Sequence, residues 1–186
     1  MTQSSTESAR TLRGVALLST AIVLFAVMDT TSKYLAQYYP PNVVVWMRHL
    51  FHVVAVVGVL VPRRGFRFMR TSRPLLQIVR GLLLASTSMV FVVALKFMPI
   101  AEATALQFLS PLIVTVLAVV FLKEKVGNSH WVAVAFGFIG VLLIIRPGSA
   151  IFSWMALLPL AAALMFASYQ VLTRRIAGHE SPYTSI

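Results

Sequence analysis

The sequence predicts an all-α fold, a polytopic bundle of membrane helices, from three observations. Six apolar stretches reach or approach the length that crosses a bilayer. Hydrophobic residues make up 59% of the 186-residue chain and charged residues only 11%, whereas a soluble domain carries about a quarter charged residues. Positive charge is concentrated on alternate connections between the apolar stretches, which is typical of polytopic membrane proteins.

The six predicted spans follow one another with short connections. A helix rises about 1.5 Å per residue, so about 20 apolar residues cross the ~30 Å hydrocarbon core. The fifth stretch, with about 16 residues, is short and relies on side chains at its ends that reach the interface. The predicted spans are residues 14–36, 43–61, 75–97, 101–122, 130–145 and 151–173.

The basic residues orient these spans. Most of them lie on one side: Arg10, Arg13, Arg63, Arg64, Arg67, Arg70, Arg73, Arg80, Lys123, Lys125, Arg174 and Arg175. The opposite side carries Lys33, Lys96 and Arg146. Because the cytoplasmic side keeps the excess of Lys and Arg, we predict a cytoplasmic N-terminus in the inner membrane. The net charge of +11 follows no single face or tail, so the expected partner is the lipid bilayer and not nucleic acid.

A faint internal repeat divides the chain. A shift of 141 positions places the sixth span on the first, with Phe25 on Phe166 and Pro41 on Pro182. Five spans separate the two starts, so the second copy would enter the membrane from the opposite face, as in inverted-repeat transporters. We therefore predict a disordered cytoplasmic segment at 1–13, a five-helix repeat at 14–146 and the start of a second repeat at 147–186. Either the chain stops early, or it is complete and forms a homodimer.

Several segments together carry a family resemblance. They are ALKFMPIAEATALQFLSPL followed by FLKEKV, and then a glycine-rich fifth span that ends in RPG. Asp29 and Lys33 in the first span and Arg48 in the second accompany them. In these features the chain resembles the drug/metabolite transporter superfamily, in its ten-helix EamA-like branch. The resemblance implies two five-helix repeats, and the sequence departs from it by lacking most of the second.

Asp29 is the most informative polar residue inside a span. It lies about 7 residues, or about 10 Å, from the end of the first span, where an ionised carboxylate is costly unless it is paired. Lys33 follows one turn later on the same face, and Arg48 lies at a similar depth in the second span. The three residues predict a polar cluster in the outer half of a cavity. It is either a structural ion pair between two helices or a site that binds solute or a proton.

Two histidines follow in the second span. His52 lies one turn after Arg48, where it either lines the cavity or makes hydrogen bonds between helices. His49 and His52 lack further ligands for a metal ion, apart from Asp29, and the chain contains no cysteine. We therefore expect neither a metal nor a cofactor.

Three more polar residues are candidates for a solute or proton pathway. Gln107 and Ser110 come just before Pro111, a proline that is expected to bend the fourth span beside the cavity. Gln170 coincides with Asp29 under the shift of 141 positions, so the repeat would place a second polar group symmetrically. Glu102 begins the fourth span, where an acidic side chain satisfies free N–H groups of a first helical turn.

The sequence thus predicts a secondary transporter of a small organic solute that works by alternating access. Lys33 and Arg48 outnumber Asp29, which favours an anionic or zwitterionic solute, and Asp29 and His52 are available for proton coupling. The alternative is a membrane scaffold or a fragment that does not transport. An integral-membrane enzyme is not expected, because the sequence has no H-E-x-x-H, G-x-S-x-G or P-loop motif.

Overall fold

The computed structural model describes residues 2–65, 74–123, 127–145 and 154–177. Within these ranges the structure contains helices and no strand. The helices are α1 (Thr2–Tyr38), α2 (Pro41–Arg64), α3 (Pro74–Phe97), α4 (Ile100–Gln107), α5 (Ser110–Leu122), α6 (Asn128–Ile145) and α7 (Leu157–Ala177), with a 3₁₀ turn at Trp154–Ala156 before α7.

Five helical segments are long and apolar enough to cross a membrane. They are Thr11–Tyr38, Pro41–Pro62, Pro74–Phe97, Ile100–Leu122 and Trp154–Arg175. The predicted fifth span corresponds to a shorter apolar helix, Ser129–Leu143. The prediction of an all-α polytopic membrane bundle is therefore confirmed, and its one short span is short in the structure as well.

The N-terminal segment differs from the expectation of disorder. Helix α1 begins at Thr2 and therefore covers nearly all of residues 1–13. The sequence has neither proline nor glycine between Thr2 and Arg13. The helix of the first span can therefore continue toward the N-terminus without a helix-breaking residue.

Prolines set the sharp connections at one end of the bundle. Pro40 precedes α2 with φ −57° and ψ 137°, and Pro99 precedes α4 with φ −58° and ψ 143°. A proline cannot donate a backbone hydrogen bond to the preceding turn, but it is well tolerated at a helix start. Consequently α1 passes into α2, and α3 into α4, through only two residues each.

The fourth span is divided in two, as the proline in its middle predicts. Helix α4 ends at Gln107, and α5 begins at Ser110 with Pro111 in its first turn. Phe108 and Leu109 form the break between them, and the Leu109 N–H donates to the Leu106 carbonyl at 3.1 Å. The ring of Pro111 carries no N–H, so the ordinary helical bond to the residue four positions earlier cannot form.

Helices α3 and α7 share the largest interface in the described part of the chain, and they run antiparallel. Arg80, near the start of α3, lies over the ring of Tyr169 near the end of α7. Leu95, near the end of α3, packs with Ala162 near the start of α7.

Helix α1 runs in the same direction as α3. Ala36, in the last turn of α1, packs with Val92 toward the end of α3 and with Val44 at the start of α2. Helix α7 therefore runs opposite to α1. An inverted repeat requires this direction.

The buried apolar clusters lie toward one end of the bundle. We call this the Met98 end, where α1 and α3 finish, and we call the opposite end, where α3 begins, the Arg80 end. The buried members of the three clusters are Ala36, Val44, Val45 and Val92; Phe91, Leu95, Ala103 and Ala162; and Leu106, Leu109 and Val141. Toward the Arg80 end, α1 is exposed from Thr11 to Val27 except at the half-buried Ala21.

Candidate functional site

Asp29 and Arg48 form an ion pair between α1 and α2. The Arg48 Nη1 atom lies 3.6 Å from the Asp29 Oδ1 atom, and the two side chains are 25% and 22% exposed, respectively. Both residues belong to segments of membrane-spanning length. Pairing lowers the free-energy cost of holding two charges at that depth, because the attraction between them partly replaces their lost hydration. The contact brings together two of the three residues predicted to form the polar cluster.

Lys33 does not make the predicted contact with Asp29. Its Nζ atom donates to the main-chain carbonyl of Met98 at 2.6 Å. Met98 lies in the turn between α3 and α4, outside both helices, so its carbonyl is open to a side-chain donor. The packing of α1 against the end of α3 makes that carbonyl available to Lys33. Lys33 therefore ties α1 to the connection between α3 and α4.

The predicted polar residues of the first, second and fourth spans lie at similar depths below the Met98 end. At about 1.5 Å per residue, Asp29 lies about 14 Å before the end of α1. Arg48 and Gln107 lie about 10 Å beyond the starts of α2 and α4, and Ser110 lies about 15 Å beyond the start of α4. We call these four residues the polar layer. Helices α1 and α4 are also in direct contact.

Gln107 presents acceptor groups at the break of the fourth span. Its side-chain Oε1 atom is buried and accepts no hydrogen bond from the described part of the chain, although the residue as a whole is partly exposed. Its main-chain carbonyl loses its ordinary helical donor, because the residue four positions later is Pro111. Ser110, at the start of α5, is also buried, with 5% of its surface exposed.

The two histidines and Gln170 lie apart from these contacts. His52 is exposed on α2, one turn beyond Arg48. His49 is half-buried, and its Nδ1 atom lies 2.9 Å from the carbonyl of Val45 in its own helix. Gln170 is half-buried on α7, which packs mainly against α3 and α5 and also against α4.

A metal site of three or more His, Asp or Glu residues does not occur among the residues that the structure describes. Several described polar side chains of the spans are engaged with carbonyl groups or with one another, whereas the Oε1 atom of Gln107 has no such partner. Thr87, for example, is buried and donates to the Leu83 carbonyl of its own helix at 2.8 Å. The arrangement suits recognition of polar groups on a solute better than bond-making chemistry.

Sequence reasoning missed one buried contact. The guanidinium of Arg80 lies 5.6 Å from the centre of the Tyr169 ring, and Arg80 is only 7% exposed. Tyr169 in turn stacks on Phe166, with ring centres 5.9 Å apart. An arginine inside an apolar span is the available signal, but the sequence alone places Arg80 only among the charges that orient the chain. Nothing in the sequence pairs it with a residue 89 positions away.

The helical bundle and its intramembrane charges define a multi-pass membrane protein with polar groups held among its spans. The chain belongs to the EamA-like transporter family, whose family model matches residues 12–146. This finding confirms the resemblance to the drug/metabolite transporters.

Several curated proteins are similar to the chain. A riboflavin transporter of Vibrio cholerae is 29% identical over 94% of the chain and 60% of its own length. A riboflavin transporter of Brucella anthropi is 35% identical over 77% of the chain and 50% of its own length. An S-adenosylmethionine uptake transporter of Rickettsia prowazekii is 29% identical over 91% of the chain and 58% of its own length.

The chain thus spans half to three-fifths of the length of these relatives. No solved structure matches the chain.

Proposed function

We propose that the protein is a secondary transporter that carries a small organic metabolite across the cytoplasmic membrane, with its N-terminus in the cytoplasm. The observation that carries this proposal is the Asp29–Arg48 ion pair, held at 3.6 Å between two spans and still about a quarter exposed. Intramembrane charges of this kind are costly, and they typically line the pathway of a solute or an ion. Membership of a transporter family supports the same assignment.

The proposed mechanism is alternating access between two inverted repeats. Two observations support it: the antiparallel course of α1 and α7, and the similarity of their sequences at a shift of 141 positions. In such transporters the solute binds near the midplane, where the two halves meet, and rocking of the halves exposes it to each side in turn. The second half would come either from a longer chain or from a second copy.

The proposed solute has an anionic or zwitterionic part. Asp29, Lys33 and Arg48 together carry a net charge of +1, so the cluster attracts a carboxylate or phosphate more than an ammonium group. The relatives are named for riboflavin and S-adenosylmethionine, and both molecules contain a flat nitrogen heterocycle. S-adenosylmethionine also carries a carboxylate in its amino-acid group, so it tests the charged part of this proposal. Riboflavin is uncharged and tests recognition of the heterocycle alone.

In the proposed coupling step, Asp29 exchanges a proton when solute binds to Arg48. A solute carboxylate or phosphate competes with Asp29 for the guanidinium, and protonation of Asp29 removes the competing charge. In this proposal His52, one turn from Arg48, passes the proton to and from the ion pair.

The test is uptake of radiolabelled riboflavin and S-adenosylmethionine into proteoliposomes, with and without an imposed pH gradient. We expect the wild type to accumulate one of them and to accumulate more of it when the gradient is present. Asp29→Asn should remove the response to the gradient. Glu102→Gln, which alters a carboxylate near the start of α4, is the matched control and should retain the response.

Two outcomes would contradict the proposal in different ways. Absence of uptake of both compounds by the wild type would refute their assignment as solutes. Uptake by Asp29→Asn that still follows the pH gradient would refute the coupling role of Asp29 but not transport itself.

A further inference from the structure

We propose that Gln107, at the break of the fourth span, forms a hydrogen-bond acceptor subsite that binds an N–H group on the heterocycle of the transported solute. This inference rests on the proposed transport function and adds a recognition element to it. It assigns the heterocycle to Gln107 and, for a solute that carries a charge, leaves the charged part to Arg48.

The first observation is the side chain itself. The Oε1 atom of Gln107 is buried, and no donor of the described residues reaches it. A buried acceptor without a donor is unfavourable, so native proteins keep such groups rarely and usually where a ligand, an ion or water completes the bond. The residue is still partly exposed, so part of its side chain is accessible beside the buried oxygen.

The second observation is the backbone at the same residue. The Gln107 carbonyl lies at the end of α4, and Pro111 has no N–H to give it. In a membrane this deficit is tolerated only where protein groups or a water-filled cavity satisfy the carbonyl. Two oxygen acceptors therefore meet at one residue, where the helix is broken.

The third observation is position. Gln107 lies about 10 Å below the Met98 end, at nearly the same depth as Arg48 and Asp29. Helix α4 contacts both α1, which carries Asp29, and α7, which carries Gln170. A solute held by the charges of the polar layer would extend toward this residue.

The charge of the surroundings identifies the ligand group. Two oxygen acceptors could hold a metal cation, but the described cations of this half of the bundle (Lys33, Arg48 and Lys96) outnumber its carboxylates (Asp29 and Glu102), which disfavours an added cation. A neutral N–H group is not repelled by these positive charges. The carboxamide also offers its own N–H₂ beside the oxygen, so it can pair with an edge that combines an N–H with a ring nitrogen or a carbonyl oxygen, as glutamine does with adenine.

The experiment compares solutes that differ only in this donor. Riboflavin has one ring N–H, at N3, and 3-methylriboflavin lacks it. S-adenosylmethionine and its N6,N6-dimethyl derivative form a second pair. Binding to the purified protein is measured by fluorescence, and uptake is measured in proteoliposomes. The wild type should bind the parent of the transported pair about ten times more tightly than the methylated form.

The variants isolate the role of Gln107. Gln107→Met keeps the size of the side chain and removes the acceptor, so it should bind parent and methylated compound about equally. Gln107→Glu keeps an acceptor and should retain the preference for the parent. Gln37→Met makes the same chemical change at an exposed position near the end of α1, and it should behave like the wild type.

The outcomes separate the two proposals. If the wild type takes up a solute and Gln107→Met still prefers the parent compound to the methylated one, the inference is overturned and the proposed transport stands. Equal binding of both forms by the wild type also overturns it. Absence of uptake and binding of every compound overturns both proposals together. A thermal melt of Gln107→Met that matches or exceeds the wild type excludes misfolding as the cause of lost preference.

Discussion

The Met98 end and the Arg80 end of the bundle are held together by different kinds of contact. At the Met98 end three apolar clusters join all the helices, and Lys33 adds a hydrogen bond from α1 to the Met98 carbonyl. At the Arg80 end α3 meets α7 through a cation over an aromatic ring, while α1 is exposed from Thr11 to Val27 except at the half-buried Ala21.

This difference indicates at which end the helices of the bundle resist being pulled apart. Lipid tails are as apolar as leucine, so burial of apolar surface does not drive membrane helices together, and close packing and polar contacts do. The Met98 end has both, with alanines that allow α3, α4 and α7 to approach closely. At the Arg80 end α5 and α7 still pack together, but α1 contributes little to the packing. Rocking of the helices should therefore open the Arg80 end more readily than the Met98 end.

The largest expected effect comes from the same substitution made at both ends. Leu95 is fully buried at the Met98 end, whereas Leu18 is 63% exposed on α1 toward the Arg80 end. Leu95→Ala leaves a cavity and should lower the free energy of unfolding by about 2 kcal/mol or more. Leu18→Ala should change it by less than about 0.5 kcal/mol. Unfolding in detergent micelles, followed by circular dichroism, measures both. Equal losses would remove the distinction between the two ends.

A smaller effect is expected when the polar contact of the Met98 end is removed. Lys33→Met deletes the donor to the Met98 carbonyl, a bond of a charged group that is worth about 1.5–3 kcal/mol. The chain contains no cysteine, so cross-linking between Ala36→Cys and Val92→Cys reports on the closure of this end without background. Lys33→Met should slow the cross-linking about tenfold.

Lys96→Met serves as the control for that measurement. Lys96 is exposed in the last turn of α3, at the same end, and its substitution removes the same charge from the membrane surface. It should leave the cross-linking rate unchanged. If both lysine variants slow the reaction alike, the loss of charge and not the bond to Met98 is responsible.

The smallest of the three effects concerns the Arg80 end. Tyr169→Leu removes the ring beneath the Arg80 guanidinium and should lower the free energy of unfolding by about 1 kcal/mol. Tyr169→Phe retains the ring and should cost much less, since the hydroxyl is not part of the contact with the cation. The same micelle unfolding assay compares the two variants. A Phe variant as unstable as the Leu variant would show that the hydroxyl, and not the ring face, stabilises this end.

Much of the fold follows from counting residues. The number of spans, the short fifth span and the break beside Pro111 depend on helix rise and on proline chemistry, which are local properties. The depths of Asp29, Arg48 and Gln107 follow for the same reason. The Asp29–Arg48 contact could be anticipated because a two-residue turn places the end of α1 beside the start of α2.

The remaining features depend on how distant segments pack. Lys33 had a suitable partner one turn away in Asp29, but the structure pairs it with a carbonyl 65 residues further along the chain. The contact of Arg80 with Tyr169 likewise requires the antiparallel docking of α3 and α7. Neither partner is encoded by spacing along the sequence. Helix α1 starts at Thr2, within the segment for which the polar composition predicts disorder.

The turn of two residues between α1 and α2 has a further consequence for Asp29 and Arg48. Both charges are carried by one helical hairpin, whose arms are joined by Tyr39 and Pro40 and packed together at Ala36 and Val44. A hinge movement of this hairpin as a unit carries both charges along without separating them. In the proposed transport cycle, protonation of Asp29 or a competing charge on the solute parts them, whereas movement of the hairpin does not.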